Sequence, residues 1–176
     1  MSPRDRRLQS ESEEMKSLAE SSSLLSFTSA GVPPTHYSVT TTCRGLMRWS
    51  DKVAETRVHE FDIDLGEGFP LLPPSVVWRT PIFHPNIKPP HVCTGDIWYP
   101  GISLAEFCVE ICKLIQYKSF NLYDPLDQEA SIWLAVELAE ENPGIPVDDR
   151  SVTDLDFDIA LRAGDAQDAA GDHGDD

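Results

Sequence analysis

The stretch Phe69-Pro70-Leu71-Leu72-Pro73-Pro74-Ser75-Val76-Val77-Trp78-Arg79-Thr80-Pro81-Ile82-Phe83-His84-Pro85-Asn86, followed by Cys93, decides how this chain is read. Its centre, Ser75 to Arg79, has the β-branched and aromatic content of a strand. From Thr80 to Gly101 the periodicity disappears. Pro81, Pro85, Pro89, Pro90 and Pro100 lack the N–H that a helix interior or a central strand requires, so neither can form there. An irregular run of about twenty residues inside a compact domain usually has a functional reason. Cys93 sits in it between Pro89-Pro90-His91-Val92 and Thr94-Gly95, away from any apolar pattern that would call for it as core filler, and so reads as an exposed thiol.

Working outward toward the N-terminus, two alternating segments precede the stretch. His59, Phe61, Ile63 and Leu65 share one side of a strand, and Tyr37, Val39, Thr41 and Cys43 share one side of another. Gly45 to Asp51 is read as the turn between them, giving with Ser75–Arg79 an antiparallel meander of three strands. Residues 4 to 20 have helical composition with Leu8, Met15, Leu18 and Ala19 on one face, and predict a first, exposed helix.

Toward the C-terminus, Ser103 and Glu106 form a capping-box pattern ahead of a helix. It buries Leu104, Phe107, Cys108, Ile111, Leu114 and Ile115 at helical spacing. Asp124-Pro125 predicts the N-cap and first position of a last helix that stops at Asn142-Pro143-Gly144. The expected fold class is α+β: an N-terminal helix, an antiparallel strand meander, the irregular segment and two C-terminal helices. The domain is placed at residues 1–146, with an acidic, mostly disordered tail at 147–176.

The 176 residues, 40% apolar, suit one domain with a core. Lys+Arg 14 against Asp+Glu 30 gives a net charge of −16. Residues 148–176 hold ten Asp against Arg150 and Arg162, a net −8 and half of the total. Such acidity repels phosphate backbones and anionic membrane surfaces, which excludes nucleic acid as the default partner. No apolar run approaches the length of a membrane span, so a cytoplasmic protein is expected. Cys43, Cys93, Cys108 and Cys112 are then expected as reduced thiols. Cys43 and Cys108 read as core residues, while Cys112 flanks the buried stripe.

With these residues in view, the chain resembles the ubiquitin-conjugating enzyme family. That family's signature runs aromatic-Pro-aromatic-x-Pro-Pro, three residues, aromatic-x-Thr-x-Ile-x-His-Pro-Asn, then a cysteine nine or ten residues after the histidine. The register holds here without a gap, and Cys93 lies nine after His84. The resemblance covers residues 5 to 142 and implies that Cys93 receives the C-terminal carboxyl of a ubiquitin-like protein from an activating enzyme, as a thioester, and passes it to a target's lysine amine.

In the same way the resemblance implies that Asn86 donates its amide to the tetrahedral intermediate and that His84, with Pro85, fixes the supporting turn. It implies too that Asp124 stands near the thioester to help a lysine lose its proton, although the cap of a helix explains Asp124 equally well. His91 either tunes the thiol or is a solvated loop residue. No cofactor is implied, since ATP is spent upstream. A zinc site at His84, His91 and Cys93 lacks paired spacing and a fourth ligand.

The chain departs from the family at Leu71, at Thr94-Gly95 before Asp96, at Gly101, and in a short connection from Cys93 to the capped helix. These departures resemble bacterial conjugating-enzyme-like proteins that accompany ubiquitin-like modifiers, some in antiviral defence operons. The alternatives are a non-catalytic variant that only binds a ubiquitin-like protein, and a cysteine hydrolase pairing Cys93 with His84 or His91.

Overall fold

A computed structural model describes residues 1–153. Helix α1 (Pro3–Ser21) opens with Ser2 as N-cap and Pro3 at its first position, and Ser2 and Asp5 exchange side-chain-to-backbone bonds in a capping box. Leu8, Met15 and Leu18 are buried on its inner face together with Glu11 and Ser12, while Ala19 is only partly covered. The apolar face is the one expected, with Gln9, Ser10, Glu13, Glu14, Lys16 and Ser17 exposed on the other side, but the inner face also carries charge. The Glu11 carboxylate and the Arg7 guanidinium pair and reach across to the next helix, which makes this charged face an inner one.

Four antiparallel strands form the main sheet in the order β1 (Leu25–Gly31), β2 (Pro34–Thr41), β5 (His59–Asp64), β6 (Ser75–Trp78). The alternation read from the sequence is the pleat observed: Tyr37, Val39, Phe61 and Ile63 point inward, with Tyr37 opposite Ile63 and Val39 opposite Phe61. β1 adds a strand the sequence did not announce, since most of its residues are exposed and carry no alternating pattern. The segment expected as a turn is instead a separate hairpin, β3 (Gly45–Trp49) with β4 (Lys52–Thr56). Gly45 has no substitute there, because a Cβ would lie 2.9 Å from both His59 Nε2 and Ile115 Cγ2.

Helix α2 (Leu104–Ile115) has the expected cap: Ser103 Oγ accepts from the Glu106 N–H and Glu106 accepts from the Ser103 N–H. Glu11 Oε2 accepts from the Leu104 N–H at 2.5 Å, so α1 satisfies a further free donor of α2's first turn. The stripe Leu104, Phe107, Cys108, Ile111 and Ile115 packs under the sheet against Tyr37, Phe61 and Trp78 and against Leu8 and Met15 of α1. Phe61 and Trp78 stack with ring centroids 5.3 Å apart.

Helix α3 (Gln128–Ala139) closes a second, smaller cluster of Leu46, Phe83, Tyr117, Ala130, Leu134 and Val147. The packed body continues past residue 146. The Val147 N–H donates to the Gln116 carbonyl, Gln116 Nε2 donates to the Arg150 carbonyl, and Val147, Asp148, Val152 and Thr153 are buried. The remainder of the expected tail, 154–176, lies outside the described residues. Among the described residues no helix is long and apolar enough to cross a membrane.

Candidate active site

The proline-rich segment leaves β6 and is fastened at each step by backbone groups, since it can join no sheet of its own beyond a short hairpin. The Phe83 N–H donates to the Leu46 carbonyl at 2.7 Å, and the Tyr117 hydroxyl donates to the Phe83 carbonyl. His84 follows, fully buried, with its ring edge-on to Tyr117 at 4.7 Å between centroids. Its Nδ1 accepts the Asn86 N–H at 3.0 Å, closing the turn around Pro85. Burial pushes the His84 pKa down to about 3, so the ring is a neutral acceptor at Nδ1 inside a turn and does not take up a further proton near neutrality.

Pro85 contributes through its carbonyl, which accepts the Leu126 N–H at 2.8 Å and the Asp127 N–H at 3.0 Å. The start of α3 is thereby tied to the turn. Asn86 is 2% exposed and uses both ends of its amide on one backbone unit. Its Nδ2 donates to the Asn121 carbonyl and its Oδ1 accepts the Asn121 N–H, each at 2.8 Å.

After Asn86 the chain makes the small hairpin β7 (Ile87–Lys88) with β8 (His91–Val92), and the Trp78 N–H reaches the Pro90 carbonyl at 2.9 Å. Cys93 comes next, and its N–H donates to the Asn86 carbonyl at 2.8 Å. All four cysteines are free thiols, and Cys93 is the one that is not buried. Beyond it the Ile97 and Trp98 N–H groups fold back onto the Thr94 carbonyl. Trp98 then wedges between Phe69 and Phe107, with centroids 5.6 and 5.5 Å away. The thiol thus stands on a loop whose roots are held on both sides.

Asp124 is not the cap of the last helix. Asp127 is, its Oδ1 accepting the Ala130 N–H at 3.1 Å, because the Pro85 carbonyl holds Leu126 and Asp127 in an extended loop and delays the helix. Asp124 is exposed and, among the described residues, makes no hydrogen bond. Its loop is bracketed by Asn121 and Leu126, both bonded to the His84-Pro85-Asn86 turn. His91 is exposed on β8. Among the described residues no group of three or more His, Cys, Asp or Glu is placed to hold a metal ion.

Two site residues escaped the sequence. Asn121 carries the bonds of Asn86, and its own Nδ2 donates to Asp96 Oδ2 at 2.7 Å. These contacts join positions 35 and 25 residues apart, and no local pattern marks them.

The sequence pattern of the ubiquitin-conjugating enzyme family matches residues 7–141. Over 75 residues the chain is 36% identical to ubiquitin-conjugating enzyme E2 16 of Schizosaccharomyces pombe, a match covering 40% of this chain and 46% of that protein. The chain therefore spans about half the length of the curated relative it matches. With the helix, meander, irregular segment and two later helices all in family order, the chain belongs to the ubiquitin-conjugating enzyme family.

Proposed function

We propose that Cys93 carries a ubiquitin-like protein as a thioester. The Cys93 thiolate attacks the thioester of an activating enzyme, whose own thiolate leaves. An acceptor lysine amine then attacks the Cys93 thioester, the Cys93 thiolate leaves, and the amine gives up a proton as the amide forms. The observation that carries this is the tie between Cys93 and Asn86: the half-exposed thiol hangs from the residue whose side chain is an amide donor.

In this scheme Asn86 Nδ2 supplies a hydrogen bond to the oxyanion of the tetrahedral intermediate. His84 and Pro85 hold the turn. Asp124, free of capping duty and exposed, draws in the ammonium form of the acceptor and favours its proper placement. The conjugating domain takes in the packed segment Val147–Thr153, and the free thiols suit the reducing cytoplasm. We place the chain with modifier systems encoded as operons, on Leu71 and the Thr94-Gly95 departure, and neighbouring genes for an activating enzyme and a modifier test that placement.

Incubation with cognate activating enzyme, modifier and ATP should give an adduct cleaved by thiol reductant. Cys93→Ala should abolish it, and Cys93→Ser should turn it into a reductant-resistant ester. An adduct that persists in Cys93→Ala overturns the proposal.

A further inference from the structure

The loop that follows Cys93 and the loop that precedes α3 are joined by a single side-chain bond, Asn121 Nδ2 to Asp96 Oδ2 at 2.7 Å. Asn121 has its other groups engaged as well: its N–H and carbonyl by the Asn86 amide, and its Oδ1 by the Tyr123 N–H at 2.8 Å. The bonds form a closed circuit. The Cys93 N–H holds the Asn86 carbonyl, Asn86 holds the Asn121 backbone, Asn121 holds Asp96, and a few peptide units lead from Asp96 back to Cys93.

We infer that Asp96 and Asn121 are positioning residues: their bond is a latch that aims the Asn86 amide for the transfer step. The inference rests on the thioester reading above and goes beyond it, to what orients the donor. An amide NH2 has two donors, and one hydrogen of Asn86 Nδ2 is spent on the Asn121 carbonyl. The second is the one left for an oxyanion. Because both ends of the amide are paired to one peptide unit, the direction of that second N–H follows wherever the Asn121 backbone goes. The Asn121 backbone is in turn held on the Cys93 side by the Asp96 carboxylate, whose charge strengthens the bond. Without it, the loop bearing Asn121 keeps its ties to the Asn86 amide and, at Leu126, to the Pro85 carbonyl, and loses the one on the Cys93 side. An oxyanion donor displaced by a fraction of an ångström forfeits much of its effect.

The test is single-turnover discharge of the Cys93 adduct to free lysine, between pH 7 and 9, with the extent of charging measured on each variant. Asp96→Ala and Asn121→Ala should each charge fully and discharge about tenfold more slowly, a partial loss of the 100-fold or more that one oxyanion donor supplies. The double variant should be no slower than Asn121→Ala alone, which removes the same bond together with the one from the Tyr123 N–H. Asp96→Asn, whose side-chain oxygen still accepts from Asn121, should recover to within about threefold of the parent. In an Asn86→Ala background Asp96→Ala should change nothing further.

The slowing should be the same across the pH range. If Asp96→Asn is as slow as Asp96→Ala and the deficit shrinks as pH rises, Asp96 acts on the amine's proton and the latch is refuted. About 100-fold slowing in the double variant, or an undiminished Asp96→Ala effect without Asn86, refutes it as well. Failure of the parent protein to charge at all refutes the thioester reading first, and the latch with it.

Discussion

Lowering the pH from 7 to 5 should cost this protein about 4 kcal/mol of folding stability through two buried histidines. His59 lies between the Trp78 ring, 5.9 Å away, and the backbone of Gly45, and burial pushes its pKa down to about 4 from the ordinary 6.5. His84, sealed under Tyr117, is pushed down to about 3 for the same reason. A folded-state pKa below the unfolded value means the unfolded chain takes up protons that the native state refuses, so stability falls as pH drops through 6.5 toward 4. At 1.36 kcal/mol for each pKa unit, each histidine contributes about 2 kcal/mol of that loss by pH 5.

Other shifted carboxyls leave this window almost untouched. Asp148 is buried, yet hydrogen bonds from Arg150 and the Arg44 N–H outweigh that burial and hold it well below the usual carboxylate range, so its contribution is lost only in stronger acid. Glu11 is raised by burial, protonates in the folded state first, and adds a little stability as pH falls, which trims the total. The discriminating variant is therefore His59→Leu. Urea titrations followed by tryptophan fluorescence at pH 7 and 5 should show its pH-dependent loss about 2 kcal/mol smaller than the parent's. A parent whose stability is level between those pH values, or a variant that loses as much as the parent, would refute the assignment.

Three further perturbations have definite outcomes. Gly45→Ala forces a Cβ within 2.9 Å of His59 and Ile115 and should lower the urea-derived stability by about 1–3 kcal/mol. Asp127→Ala should cost about 1 kcal/mol by removing the cap of α3, whereas Asp124→Ala should stay within about 0.5 kcal/mol in the same titration; the reverse order would restore the helix to Asp124. Tyr117→Phe leaves the Phe83 carbonyl without its hydroxyl donor and should lower the thermal midpoint, by a stability loss of about 1–2 kcal/mol, with the far-ultraviolet spectrum unchanged.

What the sequence made legible is what local chemistry dictates. The Ser103–Glu106 box, the stripe of α2 and the alternation of β2 and β5 each follow from residues within a turn or a strand of one another. The hairpin β3–β4 was hidden because much of it faces solvent and so carries no apolar period. At α3 a strong local signal, Asp124-Pro125, lost to a long-range one, the Pro85 carbonyl capturing Leu126 and Asp127. The same division runs through the site. Cys93, Asn86 and His84 stand in a recognisable string, while Asn121 and Asp96 enter only through contacts that folding creates.

The segment Val147–Thr153 has a bearing on how the protein is made. It rests on Gln116 just beyond the end of α2, so the core helix emerges from the ribosome well before the piece that covers its C-terminal end. The 38 residues from Ile115 to Thr153 take roughly 2–8 s to synthesise at ordinary elongation rates. For that interval the nascent chain has the residues of the main sheet, α1 and α2 but not those that cover the end of α2. A chaperone that engages apolar surface has its opportunity there, and closure of the body is timed by translation as much as by folding.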